Sequence, residues 1–192
     1  MGELIYAGQN LTAGTGQGQL SQYYGLADTN SNTFTSATQG NLCTAYTIPA
    51  GEPDYAGAAY EMSCAGFGTW GSTQQSLTFQ MYLGTAFGSA PAVAAAALSA
   101  SEAFNFSLTM RLTCADGISA WWGDIQGAVV AGSATLLPGT AADNAIAIAA
   151  VSSAAHTAAV SGALTAVIQA KWASATGSPT LTTTKTTWRK VA

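Results

Sequence analysis

The sequence predicts an all-β protein: an antiparallel β-sandwich of jelly-roll type, with about eight strands and an extended N-terminal arm. Three observations lead there. Phe104, Phe106, Leu108, Met110, Leu112 and Cys114 alternate with Asn105, Ser107, Thr109, Arg111 and Thr113, and only the two-residue period of a strand gathers all six apolar side chains on one face. The same alternation returns at Leu77, Phe79, Met81 and Leu83, and again at Leu164, Ala166, Ile168, Ala170 and Trp172. Gly, Pro, Asp and Asn separate these runs, and no repeated helical pattern lies between them, which excludes an α/β alternation. Burial of each large side chain in the Phe104 strand contributes about 1.5–3 kcal/mol. A one-residue slip of register would expose the whole set.

Taken in order, residues 1–45 read as an N-terminal arm with the first strands, a docking segment, and residues 46–192 as the jelly-roll sandwich. Gly14 to Gly18 is glycine-rich, but it has neither the GxGxxG spacing nor a following Lys-Ser/Thr, so it reads as a connection and not a phosphate loop. Tyr23 and Tyr24 fall in a strand pattern, and Asp28 to Asn32 is a turn. Phe34 to Ile48 is polar and β-prone until Pro49-Ala50-Gly51 stops pairing. Tyr60, Met62 and Cys64 alternate into Gly66-Phe67-Gly68, which reads as a bend or bulge. The alanine-rich run from Ala90 to Ala100 suits a short helix, a strand with a small-residue face or a long connection. Ala115-Asp116-Gly117 is a turn, and Ile118 to Ala131 gives a strand or a pair of strands. Ile146 and Ile148 mark a short strand, Ser152 to Ser161 a small-residue loop or strand. In the strand from Leu164 to Trp172 the opposite face carries Thr165, Val167, Gln169 and Lys171. A Thr-rich strand from Thr180 to Val191 ends the chain.

Charged residues make up 7 % of the 192, against about 25 % in an ordinary soluble domain. A chain this neutral implies an exterior hidden against copies of itself or a larger particle; a neutral, hydroxyl-rich extracellular surface is the plainer alternative. The net charge of −4 argues against nucleic acid, whose binding needs clustered Lys and Arg. Lys185, Arg189 and Lys190, the one basic cluster, sit in a strand pattern where they discourage unwanted pairing. No apolar run is long enough for a membrane span. Neither a secretory signal nor a myristoylation pattern is expected, Tyr6 standing where the latter needs Ser or Thr.

No catalytic, cofactor or metal site is expected. The single histidine, His156, could form a hydrolase triad only with Ser152 or Ser153 and Asp143, and there is no GxSxG elbow. One histidine and three scattered cysteines do not make a zinc site. Cys43, Cys64 and Cys114 read as small buried hydrophobes; a bridge between Cys64 and Cys114 would require neighbouring strands. Glu52, Asp54, Glu61, Glu102, Asp116, Asp124 and Asp143 include no evident glycosidase pair, since most sit beside turns. Trp121 and Trp122 are adjacent, so in a strand one ring points away from the core that receives the other. The outward ring, with Tyr23 and Tyr24, is a candidate for stacking on a sugar or for filling a subunit interface, and the interface is the favoured reading.

Four stretches in succession, IPAG at Ile48 to Gly51, GTWGSTQQSLTFQMYLGT at Gly68 to Thr85, FNFSLTMRLTC at Phe104 to Cys114, and AKWASATGSPTLTTTKTTWRKV at the C-terminal end, resemble a module of tailed-bacteriophage virion proteins. The likeness covers Ile48 to Val191. It departs at the alanine-rich insert after Pro91 and at Ser178-Pro179, and it brings no catalytic residue. It implies a non-enzymatic homotrimer on the exterior of a virion, in a minor tail protein, fibre or capsid decoration. The expected partners are sister subunits and other virion proteins, with a host cell-surface glycan as the alternative and a polysaccharide-degrading enzyme as the third reading. Assembly in the host cytoplasm follows from the same likeness.

Overall fold

A computed structural model of the protein describes residues 32–73, 76–89, 101–131, 145–152 and 154–191. Among them lie twelve strands and no helix: β1 (Asn32–Phe34), β2 (Gly40–Asn41), β3 (Tyr46–Ile48), β4 (Ala59–Thr69), β5 (Leu77–Leu83), β6 (Thr85–Ser89), β7 (Ala103–Cys114), β8 (Ala120–Ala131), β9 (Ala145–Val151), β10 (His156–Thr157), β11 (Leu164–Trp172) and β12 (Thr180–Lys190). The glycine-rich run at Gly14, Tyr23, Tyr24, the alanine-rich run after Pro91 and Asp143 lie outside the described residues.

The strands form two antiparallel sheets packed as a sandwich. The larger runs β1-β12-β4-β7-β8, with β9 and β10 in succession along the other side of β8. The smaller runs β2-β11-β5-β6, with β2 and β3 sharing one side of β11. This exceeds the eight strands the sequence predicts. The surplus is β8 to β10, a ribbon inserted between β7 and β11 that widens the larger sheet. Without it, β1-β12-β4-β7 faces β2/β3-β11-β5-β6, an order consistent with a jelly roll. Strands β1 and β2 belong to the sheets, and Phe34, Leu42 and Cys43 are buried in the core.

The apolar phase of β7 faces inward along its full length, all six of its large residues being buried. β5 buries Leu77, Phe79, Met81 and Leu83 in the same way. In β11 the expected one-sided pattern is broken: Val167 is buried as well, beside the half-buried Tyr82 in the middle of the smaller sheet. Aromatic rings organise both ends of the core. Tyr46, Trp188, Tyr60 and Trp121 form a series with centroid separations of 4.3, 5.6 and 6.2 Å. Trp70, Phe104 and Trp172 meet edge to face, Trp70 lying 5.0 Å from Phe104 and 5.2 Å from Trp172. Such offset geometries add about 0.5–1.5 kcal/mol per pair beyond the area they bury.

Gly66-Phe67-Gly68 is not a bend. β4 runs straight through it in unbroken register with β7, and the irregularity lies across from it in β12, between Thr183 and Lys185. The glycines are required by packing: a Cβ on Gly68 would lie 2.5 Å from the Phe104 ring and 2.3 Å from the Thr180 carbonyl oxygen. Two polar ties cross between the sheets. Thr183 Oγ1 donates to the Leu42 carbonyl at 2.7 Å, and His156 Nε2 bonds the Leu83 carbonyl at 2.8 Å.

Candidate functional site

The residues from which sequence reasoning could assemble a hydrolase do other work. Ser152 is buried, its Oγ accepting the Gly123 N–H at 3.0 Å, while its own N–H bonds the Gly123 carbonyl. His156 Nε2 is committed to Leu83. Ser153 and Asp143 lie outside the described residues.

Among the described residues the carboxylates are dispersed rather than paired. Glu61 meets Arg189, Glu52 lies 3.8 Å from Lys190 Nζ, and Asp124 accepts from Gln126 at 3.1 Å. Asp116 closes the turn between β7 and β8, its Oδ1 accepting the N–H groups of Ile118, Ser119 and Ala120 at 2.8–2.9 Å. These three bonds favour the charged form and hold its carboxyl down at about 2, against an ordinary value of 3.8. At the other extreme, burial and the neighbouring Glu52 carboxylate push the Tyr60 phenol well above its usual range. Among the described residues no cluster of three or more His, Cys, Asp or Glu side chains could hold a metal ion.

None of the three cysteines forms a disulfide, and all three are buried. β4 and β7 are neighbours, yet Cys64 stands opposite Leu108 while Cys114 lies beyond Thr113, the partner of Ala59, so the two cannot bridge. Cys64 instead adjoins Cys43, a proximity that no single-strand pattern reveals. Hydrogen bonding to Cys43, followed by burial, pushes its thiol well above the ordinary range.

Trp121 turns inward and is fully buried, its Nε1 donating to the Ala158 carbonyl at 2.9 Å. Trp122 turns outward and is 44 % exposed. It lies opposite Thr113 on the outer face of the larger sheet, and Arg111 and Asp124 form the next outward-facing pair, two residues along. That face spans the larger of the two sheets. Transverse rows cross it from β12 through β4 and β7 to β8. One holds Arg189, Glu61, Arg111 and Asp124; the next Thr187, Ser63, Thr109 and Gln126; the next Lys185, Ala65, Ser107 and Ala128. Ser63 and Thr109 share a hydroxyl–hydroxyl bond of 3.0 Å. Phe67, 52 % exposed, stands beyond the small residues. A groove of about 440 Å³ follows the seam of β4 and β12, lined by Glu61, Ala65, Ser107, Lys185 and Arg189. Charged and hydroxyl side chains stand around it, but Ala65, Cys64 and Trp188 also contribute and its wall is more apolar than polar. The arrangement suits contact over an area better than enclosure of a substrate.

Comparison with protein-family models, with curated proteins and with solved structures finds no match for this chain.

Proposed function

We propose that this chain is a non-enzymatic structural protein of a tailed-bacteriophage virion, a jelly-roll homotrimer on the particle exterior as a minor tail protein, fibre or capsid decoration. The observation that carries the reading is the strand order: once the β8–β10 ribbon is set aside, the order of the remaining columns is consistent with a jelly roll. The residue likeness from Ile48 to Val191 and the 7 % charge content support it. Immunogold labelling of purified virions with an antibody to this chain tests the location, and light scattering tests the threefold assembly. Labelled particles and a threefold assembly, a trimer or a pair of trimers, are expected; unlabelled virions or a stable monomer would sink the reading.

A second reading, recognition of a host-surface glycan, has one observation in its favour. Trp122 presents an exposed ring beside Arg111 and Asp124, an apolar platform next to planar polar groups. Glycan-array binding that is lost in Trp122→Ala would support it, and an array without signal would remove it.

A further inference from the structure

Arg189, Glu61, Arg111 and Asp124 stand directly opposite one another on four adjacent strands, β12, β4, β7 and β8, so their charges alternate across the outer face. These include both arginines of the chain. An alternating row with an even number of charges has a particular symmetry: turned end for end, it becomes its own complement. We propose that this face is an isologous interface between two copies of the chain, related by a twofold axis parallel to the strands and passing between β4 and β7.

That axis places Arg189 against Asp124 of the partner subunit and Glu61 against Arg111 of the partner subunit, with the reciprocal pairs generated by symmetry. A twofold axis in the same plane but perpendicular to the strands would carry the charged row to the Phe67 end, where it meets no countercharge. Charge complementarity therefore selects both the occupant and the axis. At the centre of the rows between, Ser63, Thr109, Ala65 and Ser107 are small enough for two sheets to approach at about 10 Å, while Thr187, Gln126, Ala128 and Lys185 stand at the ends, Lys185 facing Ala128 of the partner subunit. Phe67 lies next to the axis and is brought beside Phe67 of the partner subunit, covering the most exposed ring on the face. The four strands of the row at about 4.8 Å and about ten residues at roughly 3.4 Å give close to 650 Å² per copy, within the range that specific interfaces bury on each partner.

The pairing is independent of the threefold axis proposed above. Alone it yields a dimer; combined with that axis it yields a hexamer of two trimers.

The test is sedimentation velocity on the whole chain, with Glu61→Arg and Arg111→Glu each alone and mixed in equal amounts. The wild type is expected to be a dimer or a hexamer, and each single variant to halve that stoichiometry with a dissociation constant about tenfold or more higher. The mixture is expected to recover the parent assembly, because the row + + + − of one variant meets the reversed row − − − + of the other. A role confined to bracing the sheet predicts no such rescue. Should either variant fail to fold by circular dichroism, Ser107→Arg, exposed at the centre of the face, blocks close approach and is expected to halve the stoichiometry too. A wild-type monomer or trimer, variants of unchanged stoichiometry, or a mixture without rescue would overturn the proposal. A wild-type dimer would instead reject the threefold reading while leaving this pairing intact.

Discussion

His156 Nε2 hydrogen-bonds the Leu83 carbonyl oxygen at 2.8 Å, tying β10 of the larger sheet to the end of β5 in the smaller one. The only histidine in the chain is thereby a clamp between layers. Because a carbonyl can only accept, Nε2 carries the donated proton. His156→Ala is expected to lower stability by about 1–3 kcal/mol, as it leaves the buried Leu83 carbonyl unsatisfied. His156→Gln, which keeps a donor, is expected to recover part of the loss. Urea unfolding of the three proteins checks both outcomes.

Gly68 faces Phe104 across the β4–β7 ladder, and the ring occupies the space a side chain would need. Gly68→Ala is expected to destabilise by about 2–3 kcal/mol, since the contact at 2.3 Å is with backbone, which cannot rotate away. Combining it with Phe104→Leu should relieve the ring contact and leave the clash with the Thr180 carbonyl. Thermal unfolding of the single and double variants separates the two contributions.

Acid should weaken the β7–β8 turn within a defined window. The Asp116 carboxyl is depressed to about 2 from an ordinary 3.8, so the folded state binds its proton less readily than the unfolded state does. Its stabilising contribution is complete above about pH 4 and is lost as pH falls towards about 2. Asp116→Asn is expected to be less stable at neutral pH, with the gap to wild type closing across that window. Denaturation midpoints at pH 7, 4 and 2.5 provide the measurement.

The cysteines should be inert in the folded protein. All three are buried, and the Cys64 and Cys114 thiols are both pushed up, which removes the reactive thiolate. A thiol-reactive chromogen at pH 8 is expected to label the native chain only slowly and all three thiols after guanidinium is added. Fast labelling of one thiol under native conditions would contradict this burial.

Much of the fold is legible because β5 and β7 each bury one face, so their alternation reaches the primary structure undisturbed. The adjacency of Trp121 and Trp122 likewise dictates one ring in and one ring out. β12 is harder to read, since Thr183 and Thr186 point inward and a threonine looks the same on either face. Val167 deceives for the opposite reason, being buried on the side that polar neighbours mark as wet. The charged row could not be seen at all. Arg189 and Glu61 are 128 positions apart, and only the register of four strands brings them into line with Arg111 and Asp124.

The position of β12 has a consequence for synthesis. It is the last of the described strands, yet it lies inside the larger sheet with β1 on one side and β4 on the other. Until β12 has been made, β1 lacks the strand it pairs with among the described residues and β4 presents a bare, adhesive margin. The sheet can close only after the C-terminal segment emerges and threads between them, a long-range step that sets a slow pace for folding. Chains cut short before Thr180 would therefore be released with an open slot, ready to be filled by a strand from another molecule.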